Sequence, residues 1–166
     1  MNLGNVRVGG TAQQAVGITN TNVAPVGFQE GLSASIGGAT GGISANGNFT
    51  NLAAGGTNNS ALVVGLNTAT AGARTGSATV NLVSTGVDTS GLADLGLGTQ
   101  TINVSGNVYQ VAAGQLNTAS LNFGTVQVGQ SVSQLLSISN IATGAAGYVE
   151  DLNARFGATS GTGANL

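Results

Sequence analysis

Ser77-Ala78-Thr79-Val80-Asn81-Leu82 alternates an apolar side chain with a small polar one at every step. That is the period of a β-strand with one face buried and the other in water. Working outward, the same alternation places Gln14, Val16 and Ile18 on one face of a strand over Ala12–Thr21. It recurs at Leu32, Ala34 and Ile36, at Leu62, Val64 and Leu66, and at Ile102 and Val104 within Thr99–Ala112. Leu3–Val8 reads as a first strand and Ile43–Thr50 as a weaker fourth one carrying Phe49. Turn residues punctuate the runs at Gly9-Gly10, Gly37-Gly38, Asn46-Gly47, Gly72 and Gly86, and Gly106 suggests a bend in the last strand.

About seven short strands with turn signals at this spacing predict an all-β fold, an immunoglobulin-like β-sandwich. No stretch sustains a helical period. Ser90–Leu97 could form one helical turn, although a glycine-rich loop fits it better. Ala and Val fill most inward positions, so the sheets are expected to pack closely, with Phe28, Phe49 and Tyr109 as the aromatic fillers.

The composition agrees. Apolar residues make up 41% of the chain, but aromatic residues only 4% and charged residues only 5%, against roughly a quarter charged in an ordinary globular domain. The net charge is −2. Abundant Val, Ile and Thr separate this mixture from the disorder signature and suit a pleated sheet with a neutral outer face. The ionisable groups are Arg7, Arg74, Arg155, Glu30, Asp88, Asp94, Glu150 and Asp151. Three arginines cannot make a phosphate-tracking surface, so nucleic-acid binding is not expected. Charge repulsion this weak protects poorly against association, which suits a protein built to assemble.

A second level of order is an internal repeat. Shifted by 120 residues, Met1–Gly41 falls on Leu121–Gly161 without a gap. Asn2-Leu3-Gly4-Asn5-Val6-Arg7-Val8-Gly9 lies over Asn122-Phe123-Gly124-Thr125-Val126-Gln127-Val128-Gly129. Gln14, Ile18, Asn20, Gly27, Glu30 and Leu32 match Gln134, Ile138, Asn140, Gly147, Glu150 and Leu152, and Phe28 sits over Tyr148. Coincidence at Gln, Ile and Glu in one register is hard to obtain by composition alone. The repeat predicts one complete module over residues 1–112, then a linker and the N-terminal part of a second, similar module over 113–166. Counterparts of most of Ile43–Ala112 are missing from that second part, so it is expected either to be a fragment or to be completed by strands from another chain.

Leu121-Asn122-Phe123-Gly124-Thr125-Val126-Gln127-Val128-Gly129, followed by Leu136-Ser137-Ile138-Ser139-Asn140, resembles the opening strands of the immunoglobulin-like domains of bacterial "choice-of-anchor D" surface proteins, which are similar in architecture to ASH and MSP-type modules. Gly72–Leu82 and Ile102–Tyr109 resemble the sixth and last strands of that family. The resemblance implies secretion, tandem repetition and display at the cell surface, often with a C-terminal sorting tail, and supplies no catalytic residues. Neither a secretory leader, nor such a tail, nor a membrane span is recognisable in the sequence.

Candidate sites are few. Asp88 and Asp94 share a segment with Ser90, Gly91 and Gly96, which admits a calcium-binding loop, but the ligand spacing of an EF-hand is absent and solvated carboxylates fit better. Glu150 and Asp151 form the other acidic pair. Glu30 and Glu150 recur at one repeat position and are expected to pair with an arginine or with backbone amides of a turn. Without His or Cys the chain has no Ser–His or thiol nucleophile and no His/Cys zinc site. Gly96-Leu97-Gly98 lacks the following helix of a phosphate-cradling loop, because Thr99 onward reads as strand. Asn48-Phe49-Thr50, Asn58-Asn59-Ser60 and Asn103-Val104-Ser105 fit the N-glycosylation pattern weakly.

The expectation from sequence is therefore a non-catalytic, extracellular or cell-surface structural module without cofactors, self-associating with copies of itself or adjacent repeats, and with no membrane insertion. An adhesin or carbohydrate-binding module is the alternative, with Tyr148 as the aromatic side chain to test.

Overall fold

A computed structural model of the chain describes residues 1–161; of the second part predicted over 113–166, residues 162–166 lie outside the described residues. The chain is all-β. Its strands are β1 (Asn2–Arg7), β2 (Gln13–Thr19), β3 (Gly31–Gly37), β4 (Ile43–Asn46), β5 (Asn48–Leu52), β6 (Thr57–Leu66), β7 (Gly72–Thr85), β8 (Leu95–Tyr109), β9 (Gly114–Leu116) and β10 (Ile138–Asn140).

A five-stranded sheet in the order β1-β8-β7-β3-β5 faces a three-stranded sheet in the order β2-β6-β4. Between them lie Val16, Ile36, Ile43, Leu62, Val64, Ala78, Val80 and Val104, all buried, with Leu3, Val6, Ile18 and Phe49 packed around them. The alternating residues read from the sequence are the ones that point inward. Leu62, Val64 and Ala78 are wholly buried, and an alanine at the centre of β7 leaves room for the facing sheet to come close. The result is a β-sandwich-like core built from small side chains.

The long antiparallel pair β7–β8 forms the centre of the larger sheet, running from Gly72↔Val108 to Ser84↔Leu95. β8 also pairs in parallel with β1, so the first strand lies beside the last strand of the core. The register of β7–β8 slips by one residue where Leu82 and Val83 face Gly98 and Gly96. Leu97 is the extra residue of this bulge, and Gly98 takes the positive φ of +90° there. Gly96-Leu97-Gly98 is thus a bulge inside a strand that starts at Leu95, ahead of the expected Thr99, and β8 ends at Tyr109 rather than Ala112.

Three expectations are corrected. The fourth strand, read over Ile43–Thr50, is two strands in different sheets: β4 pairs with β6, and β5 pairs with β3. The corner between them is Gly47, with φ +121°, where an added Cβ would lie 1.8 Å from the Ala61 carbonyl oxygen. Glycine is required there both for conformation and for space, and the first 112 residues therefore contain eight strands instead of seven. The expected bend at Gly106 is absent: β8 runs straight through it in register with Arg74. Gly106 is small because an added Cβ would meet Leu66 Cδ1 at 2.5 Å. Phe28 is not a core filler; it is 83% exposed.

The buried Asn20 ties the two sheets at one pole. Its side-chain amide donates to the carbonyls of Glu30, just before β3, and of Leu52, at the end of β5. Replacing Leu62 by Ala should destabilise the fold by about 2–5 kcal/mol, as expected for a fully enclosed leucine. Phe49→Ala should cost less, because Phe49 is only partly buried; urea unfolding of both variants measures the difference.

Candidate self-association interface

The acidic candidates do not converge. Asp88 has a positive φ of 63° and its carboxylate accepts a long hydrogen bond of 3.5 Å from the Asn51 amide. Asp94 is exposed. Ser90 turns to Glu30 rather than to either aspartate. Among the described residues no three acidic side chains stand close enough to hold a metal ion. Glu30 and Asp88 do line a common open cleft with Asn51 and Thr89. The Glu30 carboxylate accepts hydrogen bonds from the hydroxyls of Ser84 and Ser90, which hold its pKa below the ordinary glutamate value, Ser84 contributing most.

Glu150, at the matching repeat position, does pair with an arginine. Arg7 Nε donates to Glu150 Oε1 at 2.8 Å, and this hydrogen bond, followed by the charge of Glu150, raises the pKa of the guanidinium further. Asp151 is exposed. Arg74 is used locally, donating to the carbonyls of Asn67, Thr70 and Ala73 and so fixing the loop before β7.

Arg7 and Glu150 belong to a joint between the sandwich and the segment that follows it. At the end of β8 the Tyr109 ring lies 5.5 Å from that of Tyr148, tilted by 46°. Tyr148 is half-buried and packs against the end of β8. Gln110 is clamped: its amide donates to the Tyr148 carbonyl, and its carbonyl accepts from the Glu150 amide. Asn140 Oδ1 accepts from the Ala113 amide, and β9 then pairs with β10. The linker after Tyr109 is thereby drawn into a two-stranded sheet. Sequence reasoning missed this joint, although an aromatic residue, an asparagine and a glutamate recurring at one spacing were its signal.

Local geometry recurs at the same 120-residue spacing. The Gly4 amide binds Asn2 Oδ1 and the Gly124 amide binds Asn122 Oδ1, both at 2.8 Å. Asn20 and Asn140 each donate to the carbonyl of their matched glutamate, at 3.1 and 3.0 Å. Each also accepts the amide two residues on, at 3.2 Å. Phe28 and Tyr148 close the same turn, on Pro25 and Ala145, with Gly27 and Gly147 both at positive φ.

What differs is cover. Phe156 is 83% exposed where its counterpart Ile36 is 8% exposed, and Phe123 and Val126 are open to solvent where Leu3 and Val6 pack against the core. β10 is open at one edge as well. In β2 the Asn20 amide and carbonyl bond to Gly56 and Gly55, toward β6. In β10 it is Ser137, Ser139 and Ile141 that bond to β9 and its neighbours. Successive residues of a strand present their backbone groups to opposite edges. β9 consequently lies on the edge of β10 opposite to the one that β6 takes on β2, and the β6-like edge of β10 is unpaired among the described residues.

Asn48 and Asn103, two of the glycosylation candidates, are exposed strand residues, while Asn58 uses its side-chain oxygen to accept the amides of Ser60 and Ala61. Comparison with protein-family models and with curated protein sequences finds no match to the chain.

Two outcomes follow from these contacts. Because the Glu30 pKa is lowered in the fold, its contribution is full above the ordinary glutamate value of about 4.3 and is lost as pH falls through the lower, folded value. The stability advantage of the native chain over Glu30→Gln, followed by thermal melting, should shrink across that acid window. Tyr148→Ala combined with Glu150→Ala should speed amide hydrogen exchange at Gln110 and Ala113 while leaving Val80 and Val104 protected.

Proposed function

We propose that the chain is a non-catalytic structural repeat module of a secreted bacterial surface, sheath or filament protein. In this reading, residues 1–112 are one immunoglobulin-like module and 113–166 carry the linker and the first part of the next. The observation that carries it is the contrast within the repeat: positions that are buried in residues 1–41, such as Ile36, are exposed in 121–161, such as Phe156. Apolar side chains uncovered over residues 121–161, beside an edge of β10 that is unpaired among the described residues, offer a surface on which further strands can pair.

Self-association with copies of the chain or with adjacent repeats, by strand complementation at that edge, is the mode of assembly this supports. Exposed strand edges pair with other chains through main-chain hydrogen bonds, while side chains at alternate positions fill the partner's face. The near absence of charge removes the repulsion that would oppose such contacts. The titratable groups support a structural role: Glu30 binds two serines, and Glu150 binds Arg7.

Sedimentation and electron microscopy of the full chain over a range of concentrations should show larger species or filaments. Phe123→Asp, Val126→Asp and Phe156→Asp should weaken that assembly without lowering the melting temperature of the first sandwich. A chain that stays monomeric throughout would contradict the proposal.

A further inference from the structure

Around Asn20, Phe28 and Glu30 the first sandwich presents the same groups with which Asn140, Tyr148 and Glu150 hold the end of β8 and its linker, and it presents them vacant. Asn140 Oδ1 accepts two amides, those of Ala113 and Ala142, whereas Asn20 Oδ1 accepts only its local one, from Asn22. The Tyr148 carbonyl and the Glu150 amide clamp Gln110, whereas the Phe28 carbonyl and the Glu30 amide have no partner among the described residues. The Tyr148 ring rests on Tyr109, whereas Phe28 is 83% exposed, next to the equally open Val23 and Val26. β10 takes β9 along one edge, and the matching edge of β2 is the free outer edge of its sheet.

We infer that this pole of the first sandwich is a docking site for the end of a preceding module of the same kind. The occupant is a copy of the segment from Tyr109 to Leu116, together with Arg7 of that same preceding copy. The inference rests on the repeat reading above and goes beyond it by naming the surface and its partner. Its chemistry is complementary at each point. An incoming tyrosine ring covers Phe28, an incoming glutamine backbone satisfies the Phe28 carbonyl and the Glu30 amide, and a linker strand extends the sheet from the β2 edge. An incoming arginine reaches Glu30, whose carboxylate retains acceptor capacity beyond its two serine bonds.

One contact is tighter than in the occupied joint. Ala24 stands at the position of Gly144, where an added Cβ lies 3.3 Å from Gln110 Cβ and 2.9 Å from Val149 Cγ2. The joint must open by a few tenths of an ångström to admit it.

The test is a tandem chain in which residues 1–120 are repeated ahead of the full sequence, preserving the natural spacing. The chain contains no cysteine, so introduced thiols report unambiguously. In the unextended chain, Tyr109→Cys with Tyr148→Cys should form a disulfide on mild oxidation and serves as the reference. In the tandem chain, Tyr109→Cys in the added copy with Phe28→Cys in the original should form one to a similar extent. Circular dichroism of the unsubstituted tandem chain reports separately whether the added copy folds. A folded added copy without the disulfide overturns the docking site and leaves the repeat reading standing. An added copy that does not fold overturns both.

Discussion

The structure depends on covering one apolar sheet face with another. β2, β6 and β4 present Val16, Leu62, Val64 and Ile43 to one side, and these are buried because β3, β7 and β8 lie across them. Most of the inward side chains are alanine, valine or leucine, so no single large residue organises the core. Close approach of the sheets does so, and it is why Gly106 must be small beneath Leu66 and why Gly47 sits at the corner where the chain changes sheets. The same constraint explains the exposure of residues 121–161. They have the sequence pattern of residues 1–41, but among the described residues nothing equivalent to β6, β7 and β8 lies over them, and apolar side chains such as Phe123, Val126 and Phe156 remain in water.

What order that second segment has comes from its joint with the first sandwich. The Arg7–Glu150 ion pair is exposed and contributes little by itself, as surface pairs usually do. The Tyr109–Tyr148 contact, the clamp on Gln110 and the short β9–β10 pairing act together over a few residues. From the later segment they use Asn140, Tyr148 and Glu150. Asn20 and Asn140 act alike, each reaching from a strand end to the carbonyl of the matched glutamate. Asn20 also reaches Leu52 and joins the sheets, a bond for which Asn140 has no partner strand among the described residues.

Much of this was legible in the sequence. Period-two alternation located the core strands and their buried faces, and the ungapped register located the positions at which hydrogen bonds recur. The miscounted fourth strand shows the limit: Asn46-Gly47 was recognisable as a turn, but a turn within a sheet and a corner between sheets use the same residues. Phe28 was misread as core because aromatic residues are usually buried, and no local pattern distinguishes one held at a pole. The recurring glutamates were expected to pair with an arginine or with backbone amides of a turn; Glu150 takes Arg7, whereas Glu30 takes the hydroxyls of Ser84 in β7 and Ser90 in the turn after it.

The sequence by itself determined the all-β class, the inward-facing residues, the sparseness of titratable chemistry and the 120-residue register, because all of these are set by local periodicity and composition. Only the tertiary structure decided which edge of each strand is paired, which recurring groups are occupied and which are vacant. Those depend on contacts between residues far apart in the chain, such as Arg7 with Glu150 and Gln110 with Tyr148, and no local pattern encodes the partner that a strand edge or a carboxylate will meet.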